Sequence, residues 1–164
     1  VDPKDIAKLI TEDPDVFCEL RQPMVGYLKD TFPKVPDYVI KDFIYPIIKD
    51  DPKWAKEWKS TWLSDSTWKL ETITVTLDIF IPRIRQKLKR RIEGENPDLV
   101  PRDAERHQKQ KEIIKAGPSK EPIIMIKRND GYELIEGWHR TIQSLLAWPE
   151  GYEQAAWVAY PSGE

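Results

Sequence analysis

The chain has 164 residues, a third of them charged, and a net charge of −2, enough for one domain or one domain with a helical extension. One cysteine, Cys18, and two histidines, His107 and His139, exclude an internal disulfide and nearly exclude a Cys/His metal centre. The charge balance argues against a wholesale nucleic-acid coat protein, and no apolar run approaches the ~20 residues that span a bilayer, so a cytoplasmic protein with no membrane partner is expected.

Residues 1–67 are rich in proline, tryptophan and acids and read as a helical N-terminal region. "DPKDIAKLI" is a helix with Asp2 as cap and Pro3 at the first helical position. "DPDVFCELRQPMVGYLKD" starts the same way, with a break expected near Pro23, and places Cys18 on an apolar face. "PDYVIKDFIYPIIKD" is a third helical pattern, interrupted by Pro46. In "DDPKWAKEWKSTWL", Trp54, Trp58 and Trp62 recur every four residues and share one helix face, which can stack bases or sugars but more simply buries against the next element.

The period then changes. In "WKLETITVTLDIFIP" the apolar Ile73, Val75, Leu77, Ile79 and Ile81 alternate with Thr72, Thr74, Thr76 and Asp78, which predicts one strand over 68–81 ended by Pro82. "RIRQKLKRRIEGENPDL" is helix or loop and very basic: Arg83, Arg85, Lys87, Lys89, Arg90 and Arg91 form the densest cationic run, either a solvated face partly paired with Glu93 and Glu95 or a contact to DNA or RNA phosphates. "PRDAERHQKQKEIIKAG" is a helix ending at Gly117, with His107 exposed among polar neighbours. "EPIIMIK" is a fully apolar strand, "NDGY" a hairpin turn in which Asp-Gly supplies positive φ, and "YELIEG" the return strand. Lys127 and Arg128 read as edge charges that discourage pairing with another molecule. "TIQSLLAW" is a helix and "EQAAWVAY" a last strand, with Trp148 and Trp157 as packing residues. The fold class is α+β, with residues 68–164 as a small mixed sheet with helices.

The junction "EGWHR", Glu136 to Arg140, lies where a strand passes through glycine into a helix. The first amides of a helix have no intrahelical acceptors and carry partial positive charge, which favours an anion. Gly137 permits a sharp turn and a close ligand, His139 and Arg140 add side-chain donors on the same side, and Thr141 can either cap the helix or touch the same anion. Glu136 would repel a phosphate unless Mg²⁺ bridges them or the carboxylate takes a proton from an attacking hydroxyl. The plainer alternative is a capping Glu136, a half-buried His139 and a solvated Arg140.

The order of these pieces resembles the ParB/sulfiredoxin superfamily. A helix ending in glycine ("EIIKAG") leads to an apolar strand ("PIIMI"), a hairpin, a return strand ("YELIEG") and a Gly-X-His-Arg turn opening a helix ("GWHRTIQSLLA"). The resemblance covers roughly residues 68–164 and leaves the first 67 unexplained. Sulfiredoxins share the Gly137, His139, Arg140 frame but have their catalytic cysteine where this chain has Trp138, so that chemistry is not expected. Partition proteins grip a nucleotide with an arginine-rich turn, of which Arg140 alone, or His139 with Arg140, is the part present, and with no evident helix-turn-helix after the core a partition protein is not expected. The superfamily's free-serine kinases have an acid-Gly-X-His-Arg turn, and "EGWHR" is closest to it.

That resemblance implies Mg²⁺-dependent phosphoryl transfer or hydrolysis on a nucleotide (ATP, ADP or CTP) or a phosphorylated small molecule. Glu136 and His139 would be the catalytic pair, and Glu136 would be the Mg²⁺ contact. Gly137, Trp138, His139, Arg140 and Thr141 would hold the phosphates. Glu71, Glu93, Glu95 and Glu105 are candidates for a further catalytic carboxylate. The competing expectation is a ParB-like nucleic-acid-binding module or nuclease, with the run 83–91 on the backbone and no nucleotide turnover.

Overall fold

A computed structural model describes residues 25–50, 62–94 and 117–163. The helix expected at the N-terminus, most of the second expected helix, Cys18, Trp54 and Trp58 of the expected tryptophan face, Glu95, Glu105 and the expected helix with His107 lie outside the described residues. Contacts divide the chain into two compact units, Val1–Trp68 with Pro161–Gly163, and Lys69–Tyr160.

In the first unit, residues 25–31 are helical. A second helical stretch begins as α1 (Asp37–Val39), widens into a π turn (Ile40–Ile44) and continues as α2 (Tyr45–Asp50). Pro46 therefore does not break the helix, as its position in the sequence predicted. A proline lacks the amide and crowds the carbonyl four residues back; widening the preceding turn, with Tyr45 N–H bonded to Ile40 O, absorbs that crowding. Val39, Ile40, Phe43, Ile44 and Ile48 are buried on this stretch. The short helix α3 (Trp62–Asp65) follows, and the Trp62 ring tilts against Trp68 at 6.1 Å.

The second unit is built on a four-stranded sheet. Its strands are β1 (Thr67–Val75), β2 (Ile123–Arg128), β3 (Gly131–Glu136) and β4 (Tyr152–Tyr160), in the spatial order β1-β4-β2-β3. β2 is antiparallel to β3 and parallel to β4. That central place explains its unbroken apolar run: Ile123, Ile124, Met125 and Ile126 are all buried, so both faces of the strand are covered. Between β3 and β4 the chain forms helix α5 (Trp138–Ala147), and Pro149 follows its end.

The single strand predicted over 68–81 is shorter than its alternation implies. β1 ends at Val75, a 3-10 turn occupies Leu77–Ile79, and Phe80 forms a parallel bridge to Tyr132 on β3. The alternation continued because Leu77 and Ile79 still pack on the core, although they do so from a crossing segment. The basic run is helix α4 (Pro82–Ile92), opened by its proline. Ile84 and Leu88, one turn apart, bury its inner side, and Ile142 and Leu145 do the same for α5. These four pack on Val75, Ile123, Met125, Leu134 and Val158, each buried side chain contributing about 1.5–3 kcal/mol.

The hairpin turn also departs from expectation. Among the described residues only glycines take positive φ, so Asn129 and Asp130 turn with negative φ and Gly131 takes φ 139°. A Cβ on Gly131 would lie 2.6 Å from Ile79 O, so glycine is needed where the crossing segment meets β3.

Candidate functional site

The junction turn lies at the end of β3. Glu136 is exposed, pairs in register with Ile124, and sits beside a bulge between Ile124 and Met125. Bulges re-aim side chains at strand ends. Gly137 then takes the left-handed conformation, φ 98° and ψ 24°, as the N-cap of α5, and no side chain caps the helix. The first intrahelical bond is Thr141 N–H to Gly137 O, 2.9 Å. The amides of Trp138, His139 and Arg140 precede it and have no intrahelical acceptor. Glycine is dictated here on two counts: its φ, and Ile123 Cγ2, which would lie 2.5 Å from an added Cβ.

The side chains of the turn divide. Trp138 is half-buried, with Lys87 Nζ 5.1 Å and Arg91 Cζ 5.3 Å from its ring centroid. Helix α4 thus brings two cations of the basic run to the first residue of α5, a convergence with no trace in sequence spacing. His139 is half-buried. Arg140 is neither solvated nor open on all sides: its Nη1 donates to Glu121 O at 2.8 Å and Nη2 to Pro122 O at 3.4 Å, and the Glu121 carboxylate is 3.7 Å away. The buried Gln154 Nε2 donates to Ser119 O and Glu121 O at 3.2 and 2.9 Å, so both residues secure the segment that leads into β2.

Thr141, expected to face the anion, is fully buried. It sits on the inner side of α5, and its hydroxyl, like that of Ser144, lies beside the Tyr152 phenol. Burial pushes that phenol up from 10 to about 12, partly offset by the Ser144 and Thr141 hydroxyls and the Arg140 charge. Above pH 10 the unfolded chain loses this proton before the folded one does, so stability falls between pH 10 and about 12 by on the order of 2–3 kcal/mol. Tyr152→Phe should flatten that part of the decline, read from urea midpoints at about pH 9 and 11. Tyr160 and Tyr132, also raised, add to the decline. Desolvation raises both; Tyr160 also donates to the Glu71 carboxylate, and the Glu71 charge acts on Tyr132. Glu71 is thus tied to a tyrosine, and Glu93 is the exposed C-cap of α4.

The basic run separates into three uses. Arg83 pairs with Glu133 at 2.9 Å, and Arg85 donates to Phe80 O at 3.0 Å and Asp78 O at 3.4 Å. Lys87 and Arg91 lie over Trp138. Lys89 and Arg90 are exposed. Trp148, tilted against Tyr152 at 6.1 Å, packs on the core, and Trp157 is half-buried on β4.

Among the described residues no three His, Cys, Asp or Glu side chains gather to hold a metal ion, and no helix is long and apolar enough to cross a membrane. Mg²⁺ that arrives with a nucleotide draws most of its ligands from phosphates and water, and one protein carboxylate is compatible with that mode. Glu136, the carboxylate expected to meet Mg²⁺, is exposed at the end of β3. No protein-family model, no curated protein and no solved structure matches this chain.

Proposed function

We propose that the Gly137 turn is a phosphate site in a ParB/sulfiredoxin-like domain, and that the domain performs phosphoryl transfer or hydrolysis on a nucleotide-type substrate. The observation that carries the reading is the convergence at Trp138. The uncapped end of α5, with three amides lacking intrahelical acceptors, and two cations of α4 meet at one residue. In this reading the amides cradle the phosphate, His139 donates to it, and Lys87 and Arg91 supply its charge balance. Arg140 holds the segment entering β2 as well as contributing its field. Glu136 accepts the proton of the attacking hydroxyl or water. Mg²⁺, when bound with the nucleotide, neutralises phosphate oxygens, and Glu136 would hold it.

Two variants test this. Pyrophosphate or a nucleotide with Mg²⁺, at ~100 times its dissociation constant, should stabilise the protein by about 2.7 kcal/mol, and His139→Ala should abolish the gain. Glu136→Gln should keep the stabilisation and lose turnover by about 100-fold or more. No thermal shift from any nucleotide or pyrophosphate would sink the reading.

A further inference from the structure

We propose that the phosphate taken at the Gly137 turn belongs to a nucleic-acid strand, whose backbone follows α4 from Trp138 to the groove beside the β2–β3 hairpin. The inference rests on the turn being a phosphate site and names the substrate class for it. Helix α4 has six cationic side chains and no acidic one. Arg83, Lys87 and Arg91 recur every four residues, so they share one face at intervals of about 6 Å. At one end of this row, Lys87 and Arg91 lie over Trp138. At the other, Arg83 and Arg128 meet across Glu133, at 2.9 and 3.1 Å. Both guanidiniums line an open groove of about 420 Å³ with Ile81, Asn129 and Asp130.

A lone nucleotide at the turn has no use for the far end of that row. From Arg83 to Arg91 is about 12 Å, close to the rise of three stacked nucleotides at ~3.4 Å each. The Arg83 side chain is 68% exposed despite its pairing, so it can reach a phosphate without leaving Glu133. Arg85 is outside the row because its guanidinium is held by the Asp78 and Phe80 carbonyls. Lys89 lies about 160° around the helix from Lys87 and serves as a control.

Fluorescence anisotropy tests the row, with a labelled oligothymidylate of about 12 nucleotides and a duplex of equal length, over a salt series. At least one should bind. Arg83→Ala, Lys87→Ala and Arg91→Ala should each reduce the slope of log affinity against log salt by about 0.7 for a single strand or 0.9 for a duplex. Lys89→Ala should leave the slope unchanged. Glu133→Gln, which removes the negative charge between two arginines, should tighten binding. Melting curves confirm that each variant is folded. Binding of neither oligonucleotide, with pyrophosphate stabilisation through His139 intact, overturns the strand inference and leaves the phosphate site standing. A Lys89→Ala effect as large as the row's overturns it too. Row-dependent strand binding without pyrophosphate stabilisation overturns both.

Discussion

Gly137→Ala should destabilise the protein by about 2–5 kcal/mol and lower its melting temperature by roughly 10 °C. Two costs combine. A side chain at φ 98° is strained by about 1–2 kcal/mol. The new Cβ would also lie 2.5 Å from Ile123 Cγ2, and overpacking of that kind costs about 1–3 kcal/mol. Ile123 cannot step aside, because it is fully buried on the central strand. A double-mutant cycle separates the costs. Ile123→Ala alone should cost about 2–5 kcal/mol, and the double variant should fall short of the sum by the steric part only. Additive costs, measured from urea midpoints, would show that the clash relaxes and that backbone strain alone fixes glycine here.

Phe80→Ala is expected to cost about 3–5 kcal/mol, the loss for a fully buried ring. The backbone contacts around it survive the change: Ile81 N–H to Tyr132 O at 3.0 Å and Arg85 to Phe80 O at 3.0 Å do not involve the ring. The loss is therefore packing under the start of α4. Phe80→Leu, which keeps much of the volume, should recover more than half of it. Leu146→Ala, at a side chain 48% exposed, should stay within about 0.5 kcal/mol of the parent. A Phe80→Ala cost near that of Leu146→Ala would mean that the crossing segment does not anchor the basic helix.

The sequence made some of this legible for physical reasons. A short apolar run with no alternation, rich in β-branched residues and bounded by proline and a turn, reads as a strand covered on both faces, and "PIIMI" is one. A strand, a glycine and a helical pattern forecast the turn at Gly137, because few residues other than glycine suit that backbone conformation. Four features were not legible. Alternation from Ile73 to Ile81 reports which residues meet the core, but it does not distinguish a continuing strand from a chain leaving one sheet edge for another. Pro46 looked like a stop because sequence patterns assume four-residue hydrogen bonding, and the π turn escapes that assumption. Thr141 looked polar and near the anion, but it lies on the inner side of α5 with the Tyr152 phenol. The approach of Lys87 and Arg91 to Trp138 links residues far apart in the chain and follows only from how α4 and α5 pack.

The crossing segment has a geometric consequence for the sheet. β1 lies at one edge and ends at Val75, yet Phe80 already pairs with β3 at the other edge. Five peptide steps reach at most about 18 Å, and the 3-10 turn inside them shortens that span. Strands about 4.8 Å apart would place the two positions roughly 19 Å from each other on a flat sheet. The sheet must therefore curl until its outer strands approach, and the Glu71 charge on β1 accordingly acts on the Tyr132 phenol of β3. Residues 76–80 act as a strap from one rim of the sheet to the other, and α4 is carried on the strap's far end.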